Sequence, residues 1–228
     1  MNICIIPARG GSKRIPKKNI KLFHGKPLIA YSIENAKKSK IFDTVVVSTD
    51  SEEIAKIAKD YGAEVQMRPH HLANDTAGLG EVVDYVLNEY KGYDYMCLLL
   101  ATAPLLDYRY LIKAYEELKN SDAVYAISVV EFEYPIFRAF EIVNNRIRMF
   151  WPENYFKRSQ DLPKAYHDAG AFSFSALKRT PKSDICFSED AIPIILPRYM
   201  GIDIDTIEDL EMAEIMYEVV KKRAQNLC

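Results

Sequence analysis

Short apolar runs alternate along this chain with longer stretches whose apolar residues recur every three or four positions. The first run, Ile3-Cys4-Ile5-Ile6, has the length of a buried strand. Pro7, with no N–H for a sheet ladder, stops it. Pro27 opens a helix over Leu28 to Lys38, where Leu28, Ile29, Tyr31, Ser32, Asn35 and Ala36 share a face. Thr44 to Ser48 is β-branched and predicts a second buried strand. Asp50 or Ser51 then caps a helix carrying Ile54, Ile57, Ala58 and Tyr61 on one side, with Gly62 as its stop. Ala63 to Met67 is a third strand. A polar loop from Arg68 to Gly80 leads to a helix over Glu81 to Tyr90, and Tyr95 to Leu100 is a fourth strand. After Ala101-Thr102-Ala103-Pro104 comes a helix from Tyr108 to Leu118, then a fifth strand from Ala123 to Val130.

Five strands separated by four helices predict an α/β fold, a mostly parallel, Rossmann-like sheet with helices on both faces. The loops after Ile6, Ser48, Met67 and Leu100 then gather on one rim. The texture changes after Val130. Between Glu131 and Phe156 stand eight aromatics, against a chain average of 11%, with Asn144-Asn145 as a turn. Two readings stand for residues 131–165: a hairpin packed on its own core, or an arm that buries its aromatics against a second subunit. Ala171 to Phe174 and Ile192 to Leu196 are further strands. Thr206, with Asp209 three residues on, opens an amphipathic helix to Arg223. The whole chain, 1–228, is expected to form one domain with that arm.

Composition narrows the classes. With 49% apolar residues the chain can bury a core, and a net charge of −2 argues against a nucleic-acid binder. Cys4, Cys97, Cys186 and Cys228 form no C-x-x-C pair, which suits free thiols in a reducing, cytoplasmic setting. No signal peptide is visible, and the longest apolar run, Met96 to Leu106, is interrupted by Pro104 and too short to span a bilayer.

Basic charge is local. Arg9, Lys13, Arg14, Lys17 and Lys18 surround Gly10-Gly11 in the loop that leaves the first strand. Glycines let N–H groups converge on an anion and the cations supply counter-charge, a recipe for holding a polyphosphate. The spacing is neither a Walker A loop nor G-x-G-x-x-G, and a solvated basic loop is the alternative. Near the other end, Ile202-Asp203-Ile204-Asp205 in extended form turns two carboxylates to one side. Such a pair suits a hard divalent cation like Mg²⁺, while a helix cap at Asp205 with a solvated Asp203 explains the same residues without metal. Arg68, at the end of the third strand, reaches a base or phosphate, or forms an ion pair. In Arg158 to Gly170, His167 beside Asp168 raises acid–base work, although strand neighbours point apart.

Together these residues resemble the cytidylyltransferases that activate nonulosonic acids, the CMP-sialic acid synthetase family, over nearly the whole chain. The matching blocks are Ala8-Arg9-Gly10-Gly11-Ser12-Lys13 with Pro16 and Lys18-Asn19, Ser48-Thr49-Asp50, Arg68-Pro69, Leu72-Ala73, Asp75-Thr76-Ala77 and Asp203-Ile204-Asp205-Thr206. The resemblance implies attack of a nine-carbon keto-acid sugar on CTP, releasing pyrophosphate. It implies a nucleotide loop of Ala8, Arg9, Gly10, Gly11, Ser12 and Lys13, with Asn19 and Arg68 near the cytidine. Arg9, Lys18 and Asp205 would carry the chemistry, and Asp203 and Asp205 would bind Mg²⁺. The aromatic segment corresponds to the family's dimerisation arm and implies a homodimer.

Ala101-Thr102-Ala103-Pro104, Glu133-Tyr134-Pro135 and the 158–170 segment are similar to the pseudaminic acid branch, with Ser173 departing from it. The expected sugar contacts are Arg138, Gln160, His167 and Asp168. The alternatives are an N-acetylneuraminate or legionaminate synthetase, a neutral-sugar pyrophosphorylase, and a nucleotide-binding protein without catalysis.

Overall fold

A computed structural model of the chain describes residues 1–74, 77–179 and 188–225. In chain order its strands are β1 (Asn2–Pro7), the short pair β2 (Leu22–Phe23) and β3 (Lys26–Pro27), β4 (Thr44–Thr49), β5 (Glu64–Met67), β6 (Tyr95–Leu99), β7 (Tyr125–Glu131), β8 (Phe140–Val143), β9 (Arg146–Met149), β10 (Tyr166–Ala176) and β11 (Ala191–Ile195). The helices are α1 (Leu28–Ser39), α2 (Glu52–Asp60), α3 (Leu79–Glu89), α4 (Tyr108–Lys119) and α5 (Ile207–Gln225). Seven strands form one sheet in the order β11-β7-β10-β6-β1-β4-β5. Only β10 is antiparallel to its neighbours.

The period-two geometry of β1 explains why helices cover both faces. Cys4 and Ile6 join Ile29 and Ile33 of α1, Ile54 of α2 and Leu111 of α4. Ile3 and Ile5 turn the other way, onto Val83 and Val86 of α3. All four β1 side chains are fully buried, and each such isoleucine contributes about 1.5–3 kcal/mol. β1 lies between β4 and β6, where the chain reverses direction across the sheet, so the loops after β1 and β6 flank a crevice at their carboxyl ends.

Three elements differ from the pattern reading. α3 starts at Leu79, two residues early, because the Glu81 carboxylate returns to the Gly78 N–H at 3.2 Å and closes the first turn. β10 is eleven residues long and inserts between β6 and β7, a non-local pairing that local alternation does not encode. Ile202 to Asp205 is irregular extended chain, not a strand, although Ile204 is fully buried while Asp203 faces solvent, as alternation requires.

The excursion at 131–165 is pinched at its base, where the Phe132 N–H donates to Ala165 O at 3.0 Å. Within it, β8 and β9 form a separate two-stranded ribbon. Asn144 (φ 49°) and Asn145 (φ 59°) take the two left-handed positions of its turn. An isolated ribbon is marginal in water, and this one leaves Phe140, Ile142, Ile147 and Phe150 exposed. Tyr134 and Phe156, at 80% and 93% exposure, extend the uncovered apolar surface. Cys4 and Cys97 are free, buried and in register on adjacent strands; Cys186 and Cys228 lie outside the described residues. Among the described residues no helix is long and apolar enough to cross a membrane.

Candidate active site

The loop after β1 is fixed from three sides. Ala8 N–H donates to Ser48 O at 2.9 Å, and Gly10 N–H donates to the Asp50 carboxylate at 2.8 Å. A Cβ on Gly10 would meet Ser51 Cβ at 3.0 Å, so glycine lets the loop lie this close to the start of α2 without displacing Ser51. The buried Asn19 amide donates to Arg9 O at 3.0 Å, tying the loop's two ends together. Asp50 thus acts as the loop's anchor. Its presence beside Ser48-Thr49 was legible, but its contact with Gly10 depends on the parallel pairing of β1 with β4.

This loop and the acidic segment meet. Lys18 Nζ donates to Ile204 O at 2.6 Å and to Asp205 Oδ1 at 3.1 Å. Arg14 reaches the same oxygen at 2.9 Å. They border a cavity of about 310 Å³ lined by Arg9, Ser12, Lys13, Arg14, Lys18, Asn19, Arg68, Thr102 and Asp205, among others. Of the expected nucleotide loop, Ala8, Gly10 and Gly11 form the frame, and Gly11 has open space around its Cα. Arg9 Nη1 also donates to Asn74 O at 3.2 Å; Asp75 and Thr76 lie outside the described residues.

Arg68 lies at the wall of this cavity, only 7% exposed, and its Nε has no hydrogen-bond partner. Burial lowers its pKa, and Arg9 lowers it further, against the pull of Asp50. A buried donor without an acceptor costs stability. An acceptor supplied by a ligand would recover it.

Asp205 and Thr206 lead into α5 through a reciprocal cap. Thr206 N–H donates to Asp209 Oδ2 at 2.7 Å, and Asp209 N–H returns to Thr206 Oγ1 at 3.3 Å. The helix therefore has its own cap, and Asp205 is not needed for it. Asp203, exposed on one side, is crowded on the other by Gly170, where a Cβ would sit 3.4 Å from the Asp203 Cγ. Partial desolvation, then the like charge of Asp205, raise the Asp203 pKa; Lys18 opposes the shift, and Asp168 and Asp209 add to it. Among the described residues no cluster of three or more His, Cys, Asp or Glu is placed to hold a metal ion. Two adjacent carboxylates beside a cation-lined cavity still fit a hard divalent ion whose other ligands are water and phosphate.

The expected sugar contacts are not brought together. Arg138 and Gln160 lie on the arm, Arg138 Nη1 reaching only Ser159 Oγ at 3.5 Å, and neither lines the cavity. The His167 ring lies against Phe132, tilted by 56° with ring centroids 4.7 Å apart, and its Nδ1 lies 2.8 Å from Asp168 O. Consecutive strand residues face opposite ways, so the His167 ring parts from the Asp168 carboxylate. Asp168 alone of the four approaches Asp203. Its Oδ1 accepts from Gly170 N–H at 3.0 Å, inside the register shift of β10 where Gly170 takes φ +58°. Beside it lies a recess of about 50 Å³ shared by Leu79, Leu100 and Ser173, whose Oγ is buried without a partner.

Residues 3–222 match the family model described as cytidylyltransferase. A pseudaminic acid cytidylyltransferase of Campylobacter jejuni is 49% identical over 96% of this chain and 97% of its own length. An N-acylneuraminate cytidylyltransferase of Escherichia coli is 32% identical over 99% of this chain and 54% of its own. Among solved structures, CMP:2-keto-3-deoxy-manno-octonic acid synthetase complexed with CTP superposes with a TM-score of 0.69 at 16% identity, covering 95% of this chain and 98% of that one. That likeness shows the mostly parallel α/β fold. This chain belongs to the cytidylyltransferase family.

Proposed function

We propose that this enzyme transfers the cytidylyl group of CTP to pseudaminic acid, giving CMP-pseudaminic acid and pyrophosphate. The observation that carries the nucleotide half is the closure of Lys18 and Arg14 on Asp205 across a cation-lined cavity. The sugar half rests on the 49% identity to a relative bearing that activity. In the reaction the sugar's anomeric hydroxyl attacks the α-phosphorus, the bond to the bridging oxygen breaks, and pyrophosphate departs with the bonding pair.

Each residue has a role that its position supports. Arg9, Lys13 and Lys18 face the phosphates, where fixed cations stabilise charge spreading over phosphoryl oxygens and leaving group. Arg68 offers its unpartnered Nε to the cytidine or a phosphate. Asn19 and Asp50 hold the loop in place so that its N–H groups need not reorganise. Asp203 and Asp205 would hold Mg²⁺ when the nucleotide brings it. Bound there, the ion would neutralise phosphate charge and orient the triphosphate. Asp168 is the one expected sugar contact positioned near this end.

We infer that the exposed aromatics of 131–165 pack on a second copy, making the working unit a homodimer, and that the free thiols suit the cytoplasm. Arg138 and Gln160, remote from the cavity of their own chain, are the residues this pairing would bring to a sugar.

The test is pyrophosphate release with CTP and Mg²⁺, offering pseudaminic acid, N-acetylneuraminic acid and a sugar 1-phosphate in parallel. Release with pseudaminic acid well above the others is expected. Equal or better turnover with N-acetylneuraminic acid would overturn the sugar assignment. Release only with a sugar 1-phosphate would overturn the reaction.

A further inference from the structure

α5 carries two apolar faces where a surface helix needs one. Leu210 and Ala213 are buried, with Met216 and Tyr217 packed beside them, in the cluster that holds Ile15, Phe23, Leu28 and Ile204. On the other side Met212, Ile215 and Val219 are 54%, 62% and 37% exposed. The same spacing continued outward reaches Glu208 at one end and Lys222 at the other, both exposed. The steps 208, 212, 215, 219, 222 alternate four and three, which is the seam of a two-stranded coiled coil. Among the described residues, neither Glu208 nor Lys222 has an ion-pair partner in its own chain.

We propose that this face of α5 is a self-recognition surface, on which the helix pairs antiparallel with α5 of a second copy about a two-fold axis at Ile215. The charge pattern selects both occupant and direction. Glu208 lies seven residues before Ile215 and Lys222 seven after it. An antiparallel pair therefore sets Glu208 against Lys222 of the partner subunit, twice, and brings Met212 within one residue of the level of the partner's Val219. A parallel pair would set glutamate on glutamate and lysine on lysine, with like charges facing. A surface that complements itself under a two-fold operation is what an isologous contact requires. With three apolar residues per helix the seam is short, so the contact is weak and concentration-dependent. It is separate from the aromatic arm and does not rest on the reaction proposed above. A chain with both surfaces would join arm-paired units into larger assemblies.

Disulfide trapping tests the geometry in the full-length chain with Cys186→Ser and Cys228→Ser, oxidised by copper phenanthroline. Ile215→Cys, on the axis, is expected to give covalent dimers at least about tenfold faster than Lys221→Cys, which points away from the seam. Glu208→Cys and Lys222→Cys should cross-link when mixed and not when oxidised separately. In light scattering, Ile215→Glu should abolish the rise in mass on concentration while leaving turnover unchanged. The proposal is overturned if Ile215→Cys reacts no faster than Lys221→Cys, or if Glu208→Cys couples to itself. It is equally overturned if Ile215→Glu has the wild-type mass at every concentration.

Discussion

Replacing Lys18 with methionine removes one of the two cations that reach Asp205 across the cavity, Arg14 being the other. Lys18 Nζ is 2.6 Å from Ile204 O and 3.1 Å from Asp205 Oδ1, and the Lys18 side chain is 19% exposed. A hydrogen bond to a charged group contributes about 1.5–3 kcal/mol when shielded, but the Asp205 side chain is 35% exposed, so the pair together should be worth about 2 kcal/mol. For a chain of this length that lowers the melting temperature by about 4–8 °C. The catalytic loss should be larger in kind. A fixed cation facing developing phosphoryl charge is worth about 10²–10³ in kcat. Thermal unfolding and a coupled pyrophosphate assay on Lys18→Met read the two effects separately, with Lys18→Arg recovering part of both. A normal melting temperature would refute the clasp. Lowered stability with wild-type kcat would refute the phosphate role.

Three further outcomes are expected. Arg68→Met keeps the buried volume while removing the unpartnered Nε, so unfolding free energy should change by less than about 1 kcal/mol while CTP affinity, read by calorimetry, falls at least about tenfold; unchanged affinity would remove Arg68 from the ligand. Gly170→Ala forces a side chain into φ +58° and toward Asp203, costing about 1 kcal/mol of stability and raising the Mn²⁺ dissociation constant seen by electron paramagnetic resonance in the presence of CTP; wild-type metal affinity would separate Gly170 from Asp203. Asp94 accepts from Lys178 and from the amino terminus, which hold its carboxyl down at about 2 against an ordinary 3.8. A depressed carboxylate stabilises the fold above its unfolded pKa and loses that contribution as pH falls. Wild type should therefore lose stability relative to Asp94→Ala between about pH 4 and 2, and parallel acid curves for the two proteins would contradict the assignment.

Much of the sheet was legible because β1 and β4 are buried on both faces and read as unbroken apolar runs, and because Ser51 and Gly62 mark the ends of α2 by known local chemistry. β10 was not, since its place between β6 and β7 is decided by contacts with strands some 40 to 80 residues away. The meeting of Lys18 with Asp205 was accessible only through chemistry: a basic loop and an acidic pair each lack a counter-charge locally and find it in each other. Asp50 is not legible as an anchor because its contact is with a backbone N–H 40 residues away. α5 is legible as an amphipathic helix opened by Thr206 and Asp209, and the structure shows that Leu210 and Ala213, with Tyr217 beside them, form its buried face. The exposed seam of Met212, Ile215 and Val219 became visible only when burial separated the two faces. The expected sugar contacts were least legible, because Arg138 and Gln160 sit on the 131–165 arm and do not line the cavity.

The central claim is that the basic loop and the acidic pair close on one triphosphate and its metal. Anomalous diffraction from crystals grown with Mn²⁺ and a non-hydrolysable CTP analogue tests it directly. The account predicts one strong manganese peak bridging Asp203 and Asp205 to the triphosphate, with Arg9 and Lys18 on the phosphate oxygens. Manganese bound away from both aspartates, or a triphosphate lying outside the Arg9–Lys18 loop, would contradict it.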